Sequence, residues 1–312
     1  MKSGFVALVG KPNVGKSTLL NAYLEQKVAI VSDKPQTTRV RQLGILTRPD
    51  AQVIFIDTPG IHKPLHRLGQ GMVETAADCI SEADVIVFLA SGTTLPTEED
   101  RQVAALIQAQ AGETPVILAL NKCDLVPPDQ IEPYAQAYQA LVAGAPGRLD
   151  SIALSATSGY NRQALLEMII ARLPAGAAYY DEEAVTDRTE REIASDMIRE
   201  QVLNHIYQEV PYSVAVTIED WKERPGGQVY INATLYVERE SQKGILIGQG
   251  GKMLKTISTA ARREIEAMAD APVFLEVWIK VDKNWRQKDR ALKRLGYAVP
   301  RREGTPYNPQ IL

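Results

Sequence analysis

The sequence predicts an α/β domain built on a parallel-rich sheet, followed by a smaller α+β domain. Three observations predict it. Short apolar runs alternate with segments of 3.6-residue periodicity through the first half, as in a parallel sheet covered by helices on both faces. That pattern breaks at Pro174-Ala175-Gly176-Ala177-Ala178, and beyond it two period-2 runs follow one another closely. A chain of 312 residues also holds about two domains, each large enough for its own core. With 45% apolar and 23% charged residues the composition is that of an ordinary globular protein, and a net charge of −3 does not announce a nucleic-acid partner. The only cysteines, Cys79 and Cys123, make no disulfide framework. With no signal peptide ahead of the first strand and no apolar run near membrane-spanning length, a cytoplasmic setting is expected.

The first strand is expected over residues 5–9. It feeds Gly10-Lys11-Pro12-Asn13-Val14-Gly15-Lys16-Ser17, a G-x-x-x-x-G-K-S string. Its backbone N–H groups, from Asn13 through Thr18, suit wrapping phosphates ahead of a helix N-terminus. Lys16 would neutralise β- and γ-phosphate charge and Ser17 would ligate Mg²⁺. A second run, 53–56, ends at Asp57-Thr58-Pro59-Gly60. Asp57 can reach the same Mg²⁺, usually through water, and Gly60 can offer its N–H to a γ-phosphate. Thr38 is the expected further Mg²⁺ ligand, ordered by the triphosphate, with Thr37 the alternative. Lys16, Thr38 and Gly60 are therefore the candidate catalytic groups.

Strands are expected at 84–90 and 115–120, with a helix over 98–109 between them. The second leads into Asn121-Lys122-Cys123-Asp124. A fixed Asp124 carboxylate accepts from both N1–H and the 2-amino group of guanine, and adenine offers no such donor pair, so GTP and GDP are the expected nucleotides. Asn121 would tie this loop to the phosphate loop, and Lys122 would lie along the base. After a strand at 151–154 comes Ser155-Ala156, where the Ala156 N–H would meet guanine O6. A helix follows over 161–173 with Asn161 as its N-cap. Each string alone is an ordinary turn after a strand. Their shared order at strand C-termini, where such sheets bind ligands, makes them one site.

A polar linker, 175–188, separates this domain, 1–174, from a second over 189–282. Here a helix (189–209) precedes two alternating runs, 213–221 and 228–238, joined by a turn containing Pro225-Gly226-Gly227, which together read as a hairpin. Ile245-Leu246-Ile247-Gly248-Gln249-Gly250-Gly251-Lys252 then opens an amphipathic helix to about 269, and a strand is expected at 273–281. The order α-β-β-α-α-β resembles the type II KH fold. Its G-x-x-G loop, Gly248-Gln249-Gly250-Gly251, lets a nucleic-acid backbone approach a helix N-terminus, and Lys243, Lys252 and Lys255 supply cations beside it. The alternative is a tight helix–helix turn and nothing more. Residues 283–312 are expected to form a basic C-terminal helix and tail, with eight basic residues against Asp289 between 283 and 302. Trp221, Trp278 and Trp285 read first as core or interface residues; of the three, Trp285 has the best chance of stacking on bases because it adjoins that stripe.

With these residues in view, the chain resembles over nearly its whole length the Era family of bacterial GTPases, which couples a Ras-like P-loop GTPase domain to a type II KH domain. Beyond the generic motifs, Lys34-Pro35-Gln36-Thr37-Thr38-Arg39 resembles the family's switch I, and Asp57 to Pro64 its switch II. Trp285-Arg286 and Leu295-Gly296-Tyr297 resemble its C-terminal end. The resemblance implies slow GTP hydrolysis, Mg²⁺, and binding to the 3′ region of 16S rRNA during maturation of the 30S subunit. It also implies a monomer with peripheral association at the inner membrane. Leu89-Ala90-Ser91 departs from an acidic residue common in related domains, and the tail after Tyr297 is longer than the family's.

Ile61 stands where Ras-type enzymes place the glutamine that orients the attacking water. In related GTPases of this kind the asparagine equivalent to Asn13 helps to hold K⁺; pure loop geometry is the alternative. Arg39 and Arg41 read as solvated, His62 and His66 as surface residues, and His205 as lying on a helix face. Two other functions remain open: an accessory GTPase of an RNA-modifying enzyme, which needs a catalytic domain not visible here, and a signalling or membrane switch whose KH-like domain binds protein.

Overall fold

The computed structural model describes residues 1–144 and 147–301. The first domain runs β1 (Lys2–Val9), α1 (Lys16–Leu24), β2 (Gln42–Thr47), β3 (Ala51–Asp57), α2 (Arg67–Glu82), β4 (Val85–Ser91), α3 (Glu98–Gln110), β5 (Val116–Asn121), α4 (Pro128–Val142), β6 (Leu149–Ala153) and α5 (Arg162–Arg172). Its strands form one sheet in the order β2-β3-β1-β4-β5-β6, parallel throughout except that β2 runs antiparallel to β3. Alternate residues of β1 serve opposite faces. Val6 and Leu8 pack with Leu19 and Leu20 of α1 and Ile169 of α5, while Ala7 and Val9 pack with Ile80 of α2 and Val103 and Ile107 of α3.

Strand β2 was not anticipated, because Gly44 interrupts its pattern. The glycine is there for packing: a Cβ would lie 2.4 Å from Leu20 Cδ1 of α1. Asn161 holds the N-cap position of α5 as expected, but at φ 56° its side chain makes no cap hydrogen bond; its Nδ2 instead donates to Ala153 O at 2.8 Å, tying the loop back to β6. Helix α3 has the stronger start, a Thr97/Asp100 capping box.

The second domain runs α6 (Glu190–His205), β7 (Ala215–Glu223), β8 (Val229–Val237), α7 (Glu240–Ile247), α8 (Lys252–Ala269) and β9 (Val273–Val281). The sheet order is β7-β8-β9, with β7 antiparallel and β9 parallel to β8. Ile231, Ala233 and Leu235 of β8 pack beneath Ile198 and Val202 of α6 and Ile257, Ala261 and Ile265 of α8. Helix α6 opens on a Thr189/Glu192 capping box and ends at His205, four residues short of the expected end, before Gln208 turns to φ 61°.

The segment between the domains is strapped along the first. Tyr179 and Tyr180 donate backbone N–H to Gln52 Oε1, at 2.7 and 3.0 Å, and Val185 O accepts from Ile45 N at 2.8 Å, covering the outer edge of β2.

After β9, helix α9 (Asp289–Arg294) and the residues up to Arg301 lie against α2. Trp285 is wholly buried here with Leu68 and Met72 of α2, Leu292 and Leu295, and its Nε1 donates to Ser213 O at 2.8 Å. It has no free ring face, so base stacking is excluded and the core-or-interface reading holds: a large aromatic beside a basic stripe has filled a domain interface. The stripe is also largely paired: Arg286 with Glu238, Lys288 and Arg294 with Asp282, and Arg301 with Asp78. Arg302 and the rest of the tail lie outside the described residues.

Candidate nucleotide site and nucleic-acid interface

Strand β1 delivers the chain into the phosphate loop at Gly10, where a Cβ would meet Leu89 O at 2.3 Å. At the other end Gly15 caps α1 with φ 104°, a conformation that disfavours any side chain, and a Cβ there would sit 2.3 Å from Asn121 Nδ2. Lys16 is buried and its ammonium donates to Gly10 O and Lys11 O at 3.0 and 3.1 Å. Burial pushes its pKa down to about 8, with the Asp57 charge opposing.

Three oxygens converge beside it. Ser17 Oγ donates to Asp57 Oδ2 at 2.7 Å, Thr38 Oγ1 donates to the same oxygen at 3.1 Å, and the two hydroxyls are 3.1 Å apart. The Thr37 hydroxyl is occupied locally, donating to Lys34 O. Asp57 Oδ1 is buried with no hydrogen-bond partner among the described residues, and burial pushes the carboxyl pKa up against the pull of Lys16, Ser17 and Thr38. An unsatisfied buried carboxylate oxygen beside two hydroxyls is a donor set suited to a hard divalent cation such as Mg²⁺.

The base-reading loop is locked to the phosphate loop. Asn121 Nδ2 donates to Val14 O, and its Oδ1 accepts the Ala156 N–H, both at 2.8 Å. That N–H, expected at guanine O6, is held in place by Asn121. Lys122, at φ 64°, crosses to Asn13 O at 2.7 Å, and Asp124 beyond it is exposed. Ser155 Oγ accepts from Ser158 N at 3.1 Å and shapes the neighbouring turn. A cavity of about 400 Å³ lies between the phosphate loop, Lys122, Gly60 and residues 30–38. The Gly60 N–H donates to nothing among the described residues, and a Cβ on Gly60 would meet Pro12 at 2.9 Å. Ile61 is buried in the core below, so no side-chain amide reaches this mouth from that position.

The segment around Thr38 is bonded to the second domain, which the sequence did not disclose. Arg199 of α6 donates to Gln36 O at 3.2 Å and to Thr37 O. Arg39, expected in solvent, is 3% exposed: its guanidinium donates to Tyr212 O at 2.8 Å and Val214 O at 2.6 Å, beside the Trp285 and Tyr297 rings. Lys34 donates to Leu203 O and Ile206 O at the end of α6. No local pattern marks these residues, because their acceptors are backbone carbonyls some 160 or more positions away. Arg41 does stay at the surface, paired with Glu82. His62 is no free surface residue either. Its Nδ1–H donates to Gly60 O at 3.0 Å, which leaves Nε2 to accept from Gln36 Nε2 at 3.1 Å, bridging the two switch segments. His66 meets Gln287 of the C-terminal segment, and His205 bonds within α6.

In the second domain, Gly248, Gly250 and Gly251 all take positive φ between α7 and α8. Gly248 also has no room, since a Cβ would meet Met253 Cβ at 2.7 Å, whereas Gly250 and Gly251 face open space. Gln249, Lys252 and Lys255 are exposed and Lys243 is half-buried. None of the three lysines makes an ion pair among the described residues, unlike most of the C-terminal stripe. The start of the 18-residue α8, which no side chain caps, the unpaired cations and the exposed Ile245 together make a groove suited to a nucleic-acid backbone.

Residues 5–122 match the family described as 50S ribosome-binding GTPase, and residues 209–286 match the KH domain family. GTPase Era of Heliobacterium modesticaldum is 43% identical over 297 residues, covering 95% of this chain and 97% of the relative. A crystal structure of Era with MgGDPNP and nucleotides 1506–1542 of 16S ribosomal RNA has a TM-score of 0.90 at 38% identity, covering 96% of this chain and 99% of that one. An Aquifex aeolicus Era variant bound to GDP·AlF4⁻ also gives a TM-score of 0.90 at 38% identity, covering 96% and 100%. A phosphate loop, a guanine-reading loop and a KH fold in one chain, matched along almost its full length by these relatives, show that it belongs to the Era family of P-loop GTPases.

Proposed function

We propose that this GTPase uses its nucleotide state to control how its KH domain holds the 3′ region of 16S rRNA, and so assists maturation of the 30S subunit. The observation that carries the reading is the set of bonds from α6 of the KH domain to residues 34–37, immediately before Thr38, in the nucleotide cavity. The RNA bound in the related Era structure supports the choice of partner. The RNA-contacting set is Lys243, Gly248, Gln249, Gly250, Gly251, Lys252 and Lys255. Asn13, Val14, Gly15, Lys16, Ser17 and Thr18 would hold the phosphates, Ser17, Thr38 and Asp57 the Mg²⁺, and Asn121, Lys122, Asp124, Ser155 and Ala156 the base. Mg²⁺ neutralises charge on the transferring phosphoryl group; around it Lys16 holds a positive charge, Gly60 offers an N–H, and Thr38 orders switch I.

With Ile61 in place of an orienting amide, a monovalent cation is our choice for the missing positive charge. Asn13 Nδ2 donates to Asp33 O, which leaves Oδ1 free to take K⁺. Hydrolysis is expected to run faster in K⁺ than in Na⁺ and to lose that preference in Asn13→Ala; equal rates in the two salts would sink the idea.

We propose boundaries at 1–174, 175–188, 189–282 and 283–312, and we take the protein to act as a monomer in the cytoplasm. No helix of the described residues is long and apolar enough to cross a membrane. Peripheral inner-membrane contact rests on the family resemblance alone, and flotation with anionic vesicles tests it.

The primary test is the affinity for 16S nucleotides 1506–1542 at one fixed salt, with a GTP analogue and with GDP. Tighter binding with the analogue, abolished by Gly250→Asp, is expected. Gly250 faces open space at φ 57°, a left-handed conformation that Asp tolerates better than most side chains, so the substitution adds a negative charge with backbone strain but no contact clash. Equal affinity in both nucleotide states would overturn the switch.

A further inference from the structure

The outer face of the β7–β8–β9 sheet carries side chains that no role above uses. The C-terminal segment covers one end of it, at Ala215 and Tyr236. At the other end Tyr230 and Phe274, paired across β8 and β9, lie with ring centroids 6.1 Å apart and planes 21° apart. Arg224, from the β7–β8 turn, spreads its guanidinium over both rings, 4.4 and 5.2 Å from their centroids. Four residues along β9, roughly 13 Å away at about 3.3 Å per residue, Trp278 stands on the same face. Trp278 is 56% and Phe274 49% exposed, unusual for rings of that size. Lys280 extends the row. Neither Arg224 nor Lys280 makes an ion pair among the described residues, whereas the nearby acids are engaged: Asp220 pairs with Lys222, and Glu276 accepts from the Tyr230 hydroxyl at 2.7 Å.

We propose that this face is a second surface for single-stranded RNA, on which bases stack against Trp278 and the Arg224–Tyr230–Phe274 platform. Aromatic rings on an open sheet stack bases of any sequence, and a guanidinium laid over such rings offers both a stacking plane and a phosphate partner. Flat rings interleaved with unpaired cations fit a polyanion with π-faces better than an apolar protein patch. Continuity favours the same occupant. β9 is one of the two edge strands of the sheet, and α7 and α8, which carry the G-x-x-G loop between them, pack against its inner side. An RNA strand leaving the loop groove across that edge arrives at Trp278. The inference rests on the loop groove as an RNA site and extends it.

The test uses the full-length protein with a GTP analogue at fixed salt and two labelled oligouridylates. One has about 4 nucleotides, the length a KH loop clamps; the other has about 16, long enough for both surfaces. Trp278→Ala and Phe274→Ala are each expected to weaken the long probe about ten-fold and leave the short one unchanged. Arg224→Ala should also reduce the salt slope of the long probe by about one. Gly250→Asp should weaken both probes. Long-probe affinity lowered by Gly250→Asp but untouched by Trp278→Ala overturns the second surface while keeping the groove. A long probe that binds and is lost in Trp278→Ala, with no short-probe binding, keeps this surface and removes the groove. No binding of either probe overturns both.

Discussion

Asp124 is exposed on a loop whose neighbours Asn121 and Lys122 are fixed, so in the proposed base-reading role selection falls to one carboxylate. Asp124→Asn turns one acceptor into a donor and no longer matches the two N–H groups of guanine; each charged hydrogen bond lost costs about 1.5–3 kcal/mol. GTP affinity is expected to fall at least ten-fold and binding of xanthosine triphosphate, which presents a carbonyl at that position, to rise; calorimetry with both nucleotides checks it. Asp124 and the other motif residues were legible because their chemistry is local: a strand end, a glycine and a charged group within a few positions. Arg39 was not. Its sequence neighbours are those of a solvated switch arginine, yet burial pushes its pKa down to about 10, still charged at neutral pH, because backbone carbonyls of another domain replace water. His62 was misread for the same reason, its second partner being supplied by a loop 26 residues away.

At the scale of elements, the sequence disclosed strands and helices whose periodicity serves one core and missed those whose packing breaks the pattern. β2 hides behind Gly44, where α1 crosses within contact distance of the strand backbone. The C-terminal segment reads as a basic stripe, while among the described residues it packs an apolar wedge of Trp285, Leu292 and Leu295 against α2. Trp285→Ala is expected to cost about 3–5 kcal/mol, as for other fully buried aromatics, visible as a lower midpoint in urea unfolding. A gentler probe is Gly71→Ala on α2. Its Cβ would lie 2.6 Å from Ala298 O, a backbone atom that cannot rotate aside, so the segment must lift from the helix. Proteolysis near residue 301 is expected to quicken in this variant while GTP affinity holds, since α2 has no contact with the base or phosphate loops that the substitution reaches.

Across the whole molecule, the two halves of the site are joined by few and directional contacts, which is what a switch requires. Thr38 sits where a triphosphate and Mg²⁺ would order it, and the two residues before it offer their carbonyls to Arg199 on α6. The same helix gives Glu200, whose Oε1 accepts the Val31 N–H at 3.0 Å while Lys27 bridges Glu200 and Glu264 of α8, the helix that opens on the G-x-x-G loop. Any nucleotide that moves residues 31–38 therefore changes the partners of both KH helices, and its effect on RNA affinity equals its differential affinity for the two arrangements. Arg199→Ala removes one guanidinium shared by two carbonyls without touching phosphate, base or RNA. If the clamp transmits the nucleotide state, the ratio of RNA affinities with a GTP analogue and with GDP collapses toward one, a loss within the 1–3 kcal/mol usual for such coupling, while each nucleotide binds nearly as before. Arg199→Lys should restore it only in part, because a single ammonium lacks the planar fork that holds both carbonyls. An unchanged ratio in Arg199→Ala would mean that the domains share a surface without sharing a switch, and would move the coupling to the contacts of α2 with the C-terminal wedge.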